Sequence, residues 1–270
     1  CGAAVAGNNS FKGAGKPFKH PRTNMGCNHS EYENVILGHS FMTDMVVFEF
    51  AIDNRKVNAA PAGLWINTAS LSLAEAMLLA AGRVLDIEFN ELKSGYRLRN
   101  SPDTTFVDIF LFDSLSSGAG YSAEIANRSM DLFQETEEIL KDCDCISSCH
   151  ECLNHFWNQR IQGKIDRHIA MQLLQWGKDG SMPDQLSFEE QSIIFRPIQE
   201  LIDLDGELIV NMNMESISVA RNGMQDKRVY IYPAMWNSCN EEIPKGSIAL
   251  PDRLVSRALP EAYEILVTSV

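Results

Sequence analysis

The sequence lacks long apolar stretches and the features of an exported chain. No uninterrupted apolar run reaches the roughly 20 residues that a transmembrane helix needs. The opening segment 1–7, CGAAVAG, has neither the basic leader nor the apolar stretch of a signal peptide. We therefore expect a cytoplasmic protein without membrane contact. The chain does not start with Met, so we also expect it to be a segment of a longer protein.

Positive charge is scarce as well. The 270 residues include 36 acidic and 23 basic side chains, which gives a formal net charge of −13. This balance disfavours nonspecific nucleic-acid binding by the chain as a whole. Any DNA contact would have to come from a local basic patch or from another part of a larger protein. The hydrophobic content of 45% is ordinary for a globular protein with a buried core.

Motifs of the common catalytic classes are missing too. The run Gly13-Ala-Gly15-Lys16 ends like a phosphate-binding loop, but Ser10 stands where the first glycine is required and Pro17 follows the lysine. Since no acidic Asp-Glu box is present either, we do not expect this chain alone to hydrolyse ATP. The catalytic alternative is a metal-dependent nuclease, built from carboxylates on or beside predicted core elements. These carboxylates are Glu49, Glu75, Glu88, Glu91 and Asp108.

Four of the seven cysteines fall within ten residues, at Cys143, Cys145, Cys149 and Cys152. The spacing C-x-C-x3-C-x2-C lets one short segment supply the four thiolates of a tetrahedral zinc site. Because protein ligands would fill all four positions, the zinc would be structural, and its binding would stabilise the local fold. Two disulfides, unrelated buried thiols and an iron–sulfur cluster are the alternatives. Disulfides between such close neighbours would be strained and would close only short loops.

Hydrophobic periodicity predicts an α/β fold. Strands are predicted over 45–52, 87–99, 106–112, 208–219 and 228–232, with a hairpin around residues 222–223. Helices are predicted over 68–85, 122–141, 166–176, 188–204 and 251–266. This order indicates a mixed sheet flanked by helices, with a four-cysteine zinc-binding helical insertion and a smaller C-terminal α+β region. The predicted divisions are an N-terminal loop segment (1–36), a zinc-binding domain (37–176) and a C-terminal extension with the hairpin (177–270).

Further motifs flank the cysteines on both sides. Asp113-Ser-Leu-Ser-Ser-Gly118-Ala-Gly120-Tyr121 precedes them, and Leu153-Asn-His-Phe-Trp-Asn158-Gln159 and Ile165-Asp166-Arg167 follow them. In combination, these motifs resemble the helicase-associated zinc-binding (MZB-type) domain of MrfA-like DNA-repair helicases and of the B component of DISARM anti-phage systems. Two positions depart from the usual pattern of this family: Ser117 replaces a glycine and Ile165 replaces a leucine.

The resemblance covers about residues 37–176 and implies zinc as the cofactor. It implies helicase lobes or a helicase subunit as partners, and single-stranded or forked DNA as the nucleic acid, in anti-phage defence or DNA repair. Such proteins often carry a Cys-x2-Cys-Gly knuckle before this domain. The resemblance therefore also implies a second metal site formed by Cys1, Cys27 and His20, for which plain loop thiols are the alternative.

Two regions beside the cysteines are candidates for nucleic-acid contact. Gly118 and Gly120 permit close backbone approach at a helix N-terminus, which favours an anion such as a DNA phosphate. A tight strand-to-helix turn is the alternative reading of this loop. Arg160, Lys164 and Arg167 would touch a nucleic-acid backbone if one helix carried all three. If they are instead a solvated surface, the acidic chain would be a protein-interaction scaffold without DNA contact.

Overall fold

The computed structural model describes residues 40–60, 63–213, 215–221 and 223–270. Residues Met42–Val270 form one compact unit. The predicted N-terminal loop and the predicted second metal site, formed by Cys1, His20 and Cys27, lie outside the described residues. Both therefore stay predictions.

A three-stranded antiparallel sheet organises the first half of this unit. Strands β1 (Met45–Asp53), β2 (Leu92–Asn100) and β3 (Thr104–Asp113) pair in the order β1-β3-β2. Side chains alternate between the two faces of a strand, so Val107, Ile109 and Leu111 of the central strand fall on one face and are fully buried. Every pairing in this sheet is antiparallel, and mixed pairing occurs in the second sheet.

Helix α1 (Ile66–Leu85) packs against β2 and β3. Its alanines and leucines favour helix formation, and the small side chains of Ala69, Ala76 and Ala80 are completely buried. Among the described residues, α1 is the one helix long and apolar enough to pass for a membrane span, with a mean hydropathy of 1.3. Its packing against the sheet and three further helices accounts for this composition, as in the core helix of a globular domain.

A helical layer follows β3 and carries the cysteines. It consists of α2 (Tyr121–Asn127), α3 (Ser129–Lys141), two 3₁₀ turns (Phe156–Asn158 and Gln162–Lys164) and α4 (Arg167–Asp179). The predicted single helix over 122–141 is wrong at Arg128, where the backbone leaves the helical region (φ −107°, ψ 32°). The guanidinium of Arg128 donates to the Val84 carbonyl at 2.7 Å, which fixes this break. Both α3 and α4 pack on α1, so the two ends of the cysteine segment are anchored.

The second half contains a four-stranded sheet and three helices. These elements are α5 (Phe188–Asp205), β4 (Ile209–Met212), β5 (Ile217–Ala220), β6 (Lys227–Tyr232), β7 (Ile248–Pro251), α6 (Asp252–Arg257) and α7 (Leu259–Ser269). The predicted hairpin is confirmed by the antiparallel pairing of β5 with β6, and β7 pairs with β6 in parallel. The single strand predicted over 208–219 is wrong at Asn213. Its side chain accepts the N–H groups of Glu215 and Ser216, and the resulting turn separates β4 from β5.

The predicted α/β class, with sheets flanked by helices and a four-cysteine segment between helices, is confirmed. Two large hydrophobic cores are present, one beneath α1 and one beneath α5. The two halves are joined by a backbone bridge between Val57 and Trp236, and by a hydrogen bond from Asn237 Nδ2 to the Asn54 carbonyl at 2.8 Å. The predicted domain limits stay predictions.

Candidate metal centre

The four clustered cysteines converge between α3 and α4. The Sγ atoms of Cys143, Cys145, Cys149 and Cys152 all lie within 4.8 Å of one another. The C-x2-C turn is closed by two hydrogen bonds of 3.2 Å, from Cys152 N–H to the Cys149 carbonyl and from Cys149 N–H to Cys152 Sγ. Cys143 and Cys152 are buried and the other two are half-buried, so the backbone turn directs all four sulfurs inward.

The sulfur spacing fits a single tetrahedral ion. Zinc–sulfur bonds of about 2.3 Å place the sulfurs of a tetrahedron about 3.8 Å apart. The Sγ–Sγ distances are 3.4 Å for Cys143–Cys149, 3.6 Å for Cys145–Cys152 and 3.9 Å for Cys149–Cys152. Disulfides require about 2.05 Å, so the two-disulfide alternative is wrong. An iron–sulfur cluster would hold its four ligands farther apart, because several atoms separate them, and the cysteines are therefore suited to one zinc ion.

Arg167 holds the cysteine segment in place. Its guanidinium donates to the Leu140 carbonyl at 2.9 Å and to the Cys145 carbonyl at 3.1 Å, and its backbone N–H donates to the Ser147 carbonyl at 2.8 Å. These bonds join the end of α3 and the first cysteine turn to the start of α4. They also place a cation at the carbonyl of Cys145, whose thiolate would carry negative charge as a zinc ligand.

The predicted cationic face of Arg160, Lys164 and Arg167 does not form. The 3₁₀ turns and the extended residue Ile165 (φ −95°, ψ 139°) interrupt the segment, so no single helix carries the three residues. Arg160 and Lys164 are exposed, and neither forms an ion pair with a residue that the structure describes. Arg167 is only 8% exposed, and its guanidinium is engaged by backbone carbonyls.

Glu75 of α1 fixes the segment that follows the cysteines. Its Oε2 accepts hydrogen bonds of 2.9 Å from Asn158 Nδ2 and from the Nε2 atom of His155. The other ring nitrogen of His155, Nδ1, accepts the N–H of Trp157, which leaves Nε2 as the protonated nitrogen. Asn158 also donates to the Leu153 carbonyl at 2.9 Å. The core helix is thus bonded directly to the turn next to the metal centre.

The Gly-Ala-Gly-Tyr loop folds around a carboxylate. Asp113, at the end of β3, is completely buried and accepts the backbone N–H groups of residues 119–122. Gly118 and Gly120 make this wrap possible with φ values of +74° and +86°, a region that favours glycine. Burial opposes ionisation of Asp113, but the hydrogen bonds from the loop outweigh it and lower the pKa of the carboxyl group. The N–H groups predicted to bind a DNA phosphate are therefore engaged internally.

No three carboxylates of the nuclease alternative converge in the described part of the chain. Asp108 accepts hydrogen bonds from Arg97 and Arg99, and its cross-strand neighbour Glu49 also pairs with Arg99. Glu75 is engaged as described above. Within the described ranges, the cysteine cluster is the only group of three or more Cys, His, Asp or Glu side chains with metal-binding spacing. The five predicted carboxylates, Glu49, Glu75, Glu88, Glu91 and Asp108, therefore do not form a metal site.

Two exposed aromatic side chains follow the metal centre, and sequence reasoning missed them as a surface feature. Phe156 is 71% exposed and Trp157 is 63% exposed, with their rings edge-to-face at 5.2 Å. The ammonium group of Lys93 lies over the Trp157 ring, 5.5 Å from its centre. The sequence signal for this exposure is that the two adjacent aromatics lie outside any apolar periodicity. The pattern therefore gives no reason to place them in the core.

Residues 73–153 match the family model of the MrfA Zn-binding domain. The match runs from α1 through the last of the clustered cysteines. It confirms the resemblance to a helicase-associated zinc-binding domain over this part of the chain. Together with the sulfur geometry, it supports zinc as the cofactor.

A curated relative and two solved structures extend the comparison. The Druantia protein DruE of Escherichia coli (strain UMEA 4076-1) is 30% identical across 98% of this chain, which covers 16% of that protein. A crystal structure of the DUF1998 helicase MrfA bound to DNA aligns over 44% of this chain and 16% of that one, with 19% identity and a TM-score of 0.33. A second, bound to DNA and AMPPNP, aligns over 47% and 15%, with 15% identity and a TM-score of 0.32. The chain thus spans about 16% of the length of the curated relative.

Proposed function

We propose that this chain is a zinc-stabilised accessory part of a DNA helicase or of a helicase partner, and that it contacts an unpaired DNA strand. Cys143, Cys145, Cys149 and Cys152 are the zinc ligands, and the zinc is structural because no coordination position stays open for water. The partner surface is formed by helicase lobes or a helicase subunit, and the DNA is single-stranded or forked. Anti-phage defence and DNA repair are the two settings in which such a complex would act.

The observation that carries the DNA contact is the exposed pair Phe156 and Trp157. Aromatic rings on a surface that also carries cations are the usual platform for single-stranded nucleic acid, because unpaired bases stack on them. Duplex DNA offers no such faces, since its bases are already stacked. The pair therefore favours an unpaired strand over a duplex as the ligand.

The aromatic pair is held by the interior of the protein. The N–H of Trp157 donates to His155 Nδ1 at 3.2 Å, and the opposite ring nitrogen of His155 is bonded to Glu75 of the core helix. The ring of Phe89 packs on His155 with centroids 4.2 Å apart. Because the turn is fixed before binding, little conformational entropy is lost when a base stacks on it.

Local charge supports the same ligand despite the acidic chain. Lys93 lies over the ring of Trp157. Arg160, three residues after Trp157, lies on an exposed turn, and its side chain has no ion-pair partner among the described residues. These cations provide phosphate contacts close to the stacking surface. The net charge of −13 weakens long-range attraction, so the contact should be short and sensitive to salt.

The test is binding of a 20-nucleotide oligo(dT) strand, followed by fluorescence anisotropy at low salt. Replacing Phe156 and Trp157 together with Ala should weaken binding at least about tenfold, because one stacked base contributes roughly 1–3 kcal/mol. The matched control replaces Met130 and Ile193, which are similarly exposed at 79% and 66% but lie on α3 and α5. The control should bind like the unmodified chain.

Two outcomes would contradict the proposal. Equal binding by the aromatic double variant and the control would show that the aromatic pair is not a stacking surface for DNA. No binding by any form would favour the protein-interaction scaffold. Cleavage of the strand in Mg²⁺ or Mn²⁺ would instead revive the nuclease alternative, although no three of its carboxylates converge among the described residues.

A further inference from the structure

A cavity of about 520 Å³ lies beside the start of α1, and part of its lining is strongly basic. Lys164 of the second 3₁₀ turn lines it together with Arg253 and Arg257 of α6. Residues from both halves of the unit therefore meet there. The volume is in the range of small-molecule sites, which commonly measure about 300–1,000 Å³.

Internal acids offset only part of this positive charge. The buried carboxylate of Asp166 pairs with Arg253 and, at 3.6 Å, with Arg257. Lys164 has no acidic partner in the part of the chain that the structure describes. Asp252 lies next to Arg253 and accepts its backbone N–H at 2.7 Å, and burial raises the pKa of its carboxyl group. Of the three cations, Arg253 and Arg257 thus share the carboxylate of Asp166, and Lys164 is left without an ion pair to a described residue.

One nitrogen of this group has no hydrogen-bond acceptor among the described residues. Nη1 of Arg253 is bonded to Asp166, whereas Nε of the same guanidinium is buried and unpartnered. A buried donor without an acceptor is unfavourable, and guanidinium groups bind phosphate oxygens through two parallel N–H bonds. Because Arg253 lines the cavity, an oxyanion bound there would lie beside this guanidinium.

The start of α1 adds positive potential to the same cavity. Asn67 and Thr68 of its first turn are part of the lining. This helix of 20 residues begins without a side-chain cap and without an acidic residue in its first turn. The positive end of its dipole is therefore not offset by an acidic side chain of that turn, and it favours an anion next to the three cations.

The rest of the lining is mostly apolar. It includes Leu64, Leu71 and Ile161, together with Tyr96, whose hydroxyl is 3.3 Å from the side-chain oxygen of Asn67. We infer that the cavity binds a phosphate ester of the nucleotide class, with the phosphate at the three cations and the base or sugar against the apolar lining. This inference does not depend on the proposed function, because a free nucleotide would bind without any DNA contact at the aromatic pair.

The test is calorimetric titration of the chain with deoxythymidine 5′-monophosphate and, separately, with deoxythymidine. The nucleotide should bind and the nucleoside should not. Replacing Lys164 or Arg257 with Gln should each weaken nucleotide binding roughly tenfold, as expected for loss of one charge-assisted contact. The matched control is Arg196→Gln, because the Arg196 side chain is 77% exposed and, among the described residues, pairs only with Glu200 of its own helix. This control should leave binding unchanged.

Further titrations separate the sources of the phosphate. Binding of five-nucleotide oligo(dT) only when it carries a 5′ phosphate would indicate a strand end. Binding of the same strand without that phosphate would indicate the strand backbone, and binding of inorganic phosphate would indicate a free ion. Lys164→Gln keeps the test decisive even if Arg257→Gln fails to fold, because Lys164 is exposed and has no ion pair with a described residue. Binding of the nucleoside as tight as that of the nucleotide would overturn the inference. So would equal effects of Lys164→Gln and Arg196→Gln, or no binding by any phosphate compound.

Discussion

Replacing Asp113 with Asn should destabilise the protein far more than the small change in shape suggests. The carboxylate is completely buried, and its two oxygens accept four backbone N–H groups from the loop that leads into α2. One oxygen accepts the N–H groups of residues 119–121, and the other accepts that of Ser122 at 2.8 Å. An amide keeps only one oxygen, so its NH₂ group must face an N–H donor.

The cost follows from these contacts. If the amide oxygen stays with residues 119–121, the N–H of Ser122 loses its acceptor and meets another donor. The remaining three bonds lose their charge assistance, and hydrogen bonds to charged groups contribute about 1.5–3 kcal/mol each. A buried donor that is left without its acceptor costs about a further 1–3 kcal/mol. We therefore expect Asp113→Asn to lower the free energy of unfolding by about 3–5 kcal/mol.

Urea unfolding at neutral pH, followed by far-ultraviolet circular dichroism, measures this loss. The control is Asp131→Asn, since the Asp131 side chain is 58% exposed and pairs with Arg128 on the surface. It should change the free energy of unfolding by less than about 0.5 kcal/mol. Unfolding of both variants at the same urea concentration would refute the role assigned to the buried carboxylate.

The pH dependence gives a second check on Asp113. Its folded-state pKa lies below the unfolded value of about 3.9, so its contribution is present above that value and is lost as the pH falls through the folded pKa. The stability difference between the wild-type chain and Asp113→Asn should stay constant from about pH 5 to 8 and shrink below about pH 4. A difference that grows in acid would contradict the lowered pKa.

Tighter DNA binding by Asp113→Asn would show that the loop N–H groups bind DNA once the carboxylate no longer accepts them.

The remaining predictions concern the metal centre. Cys149→Ser should abolish stoichiometric zinc, measured by elemental analysis, and lower the Tm by roughly 10 °C or more, because zinc binding contributes local folding energy. Cys239→Ser removes an exposed thiol outside the cluster and should change neither quantity. Arg167→Gln should weaken zinc affinity about 10- to 100-fold in a competition assay with a chromophoric chelator, because it removes the bonds that hold the first cysteine turn. Arg160→Gln should leave zinc affinity unchanged, and equal affinities for the two arginine variants would contradict this assignment.

Local spacing explains which parts of the site could be predicted. The cysteines lie within ten residues, so one turn brings them together whatever the rest of the fold does. The central strand and α1 were equally predictable, because their composition and length reflect burial alone. Positions at which a single side chain decides the backbone path were not predictable from the sequence. Arg128 and Asn213 interrupt apolar periodicity through hydrogen bonds that only the folded chain shows.

Charge was the least predictable property. Arg167 has the residue type and spacing of a DNA contact, yet its guanidinium binds carbonyls beside the cysteines. Glu75 and Asp108 have the residue type of metal ligands, yet each carboxylate accepts hydrogen bonds from neighbouring side chains. A sequence gives the number of ionisable groups, whereas their roles depend on partners that are distant along the chain. Exposure, which identified Phe156 and Trp157, is likewise a tertiary property.

Two adjacent residues link the metal centre to the rest of the protein. Asp166 caps α4 by accepting the N–H of His168 at 3.0 Å, and its carboxylate pairs with Arg253 in the C-terminal half. Its neighbour Arg167 binds the carbonyl of Cys145. The zinc segment, the start of α4 and the basic cavity lining are thus connected through one Asp-Arg pair. We therefore expect zinc, by ordering this segment, to favour a ligand at the cationic side of the cavity. Since binding free energies at linked sites are reciprocal, such a ligand would stabilise the metal centre by the same amount.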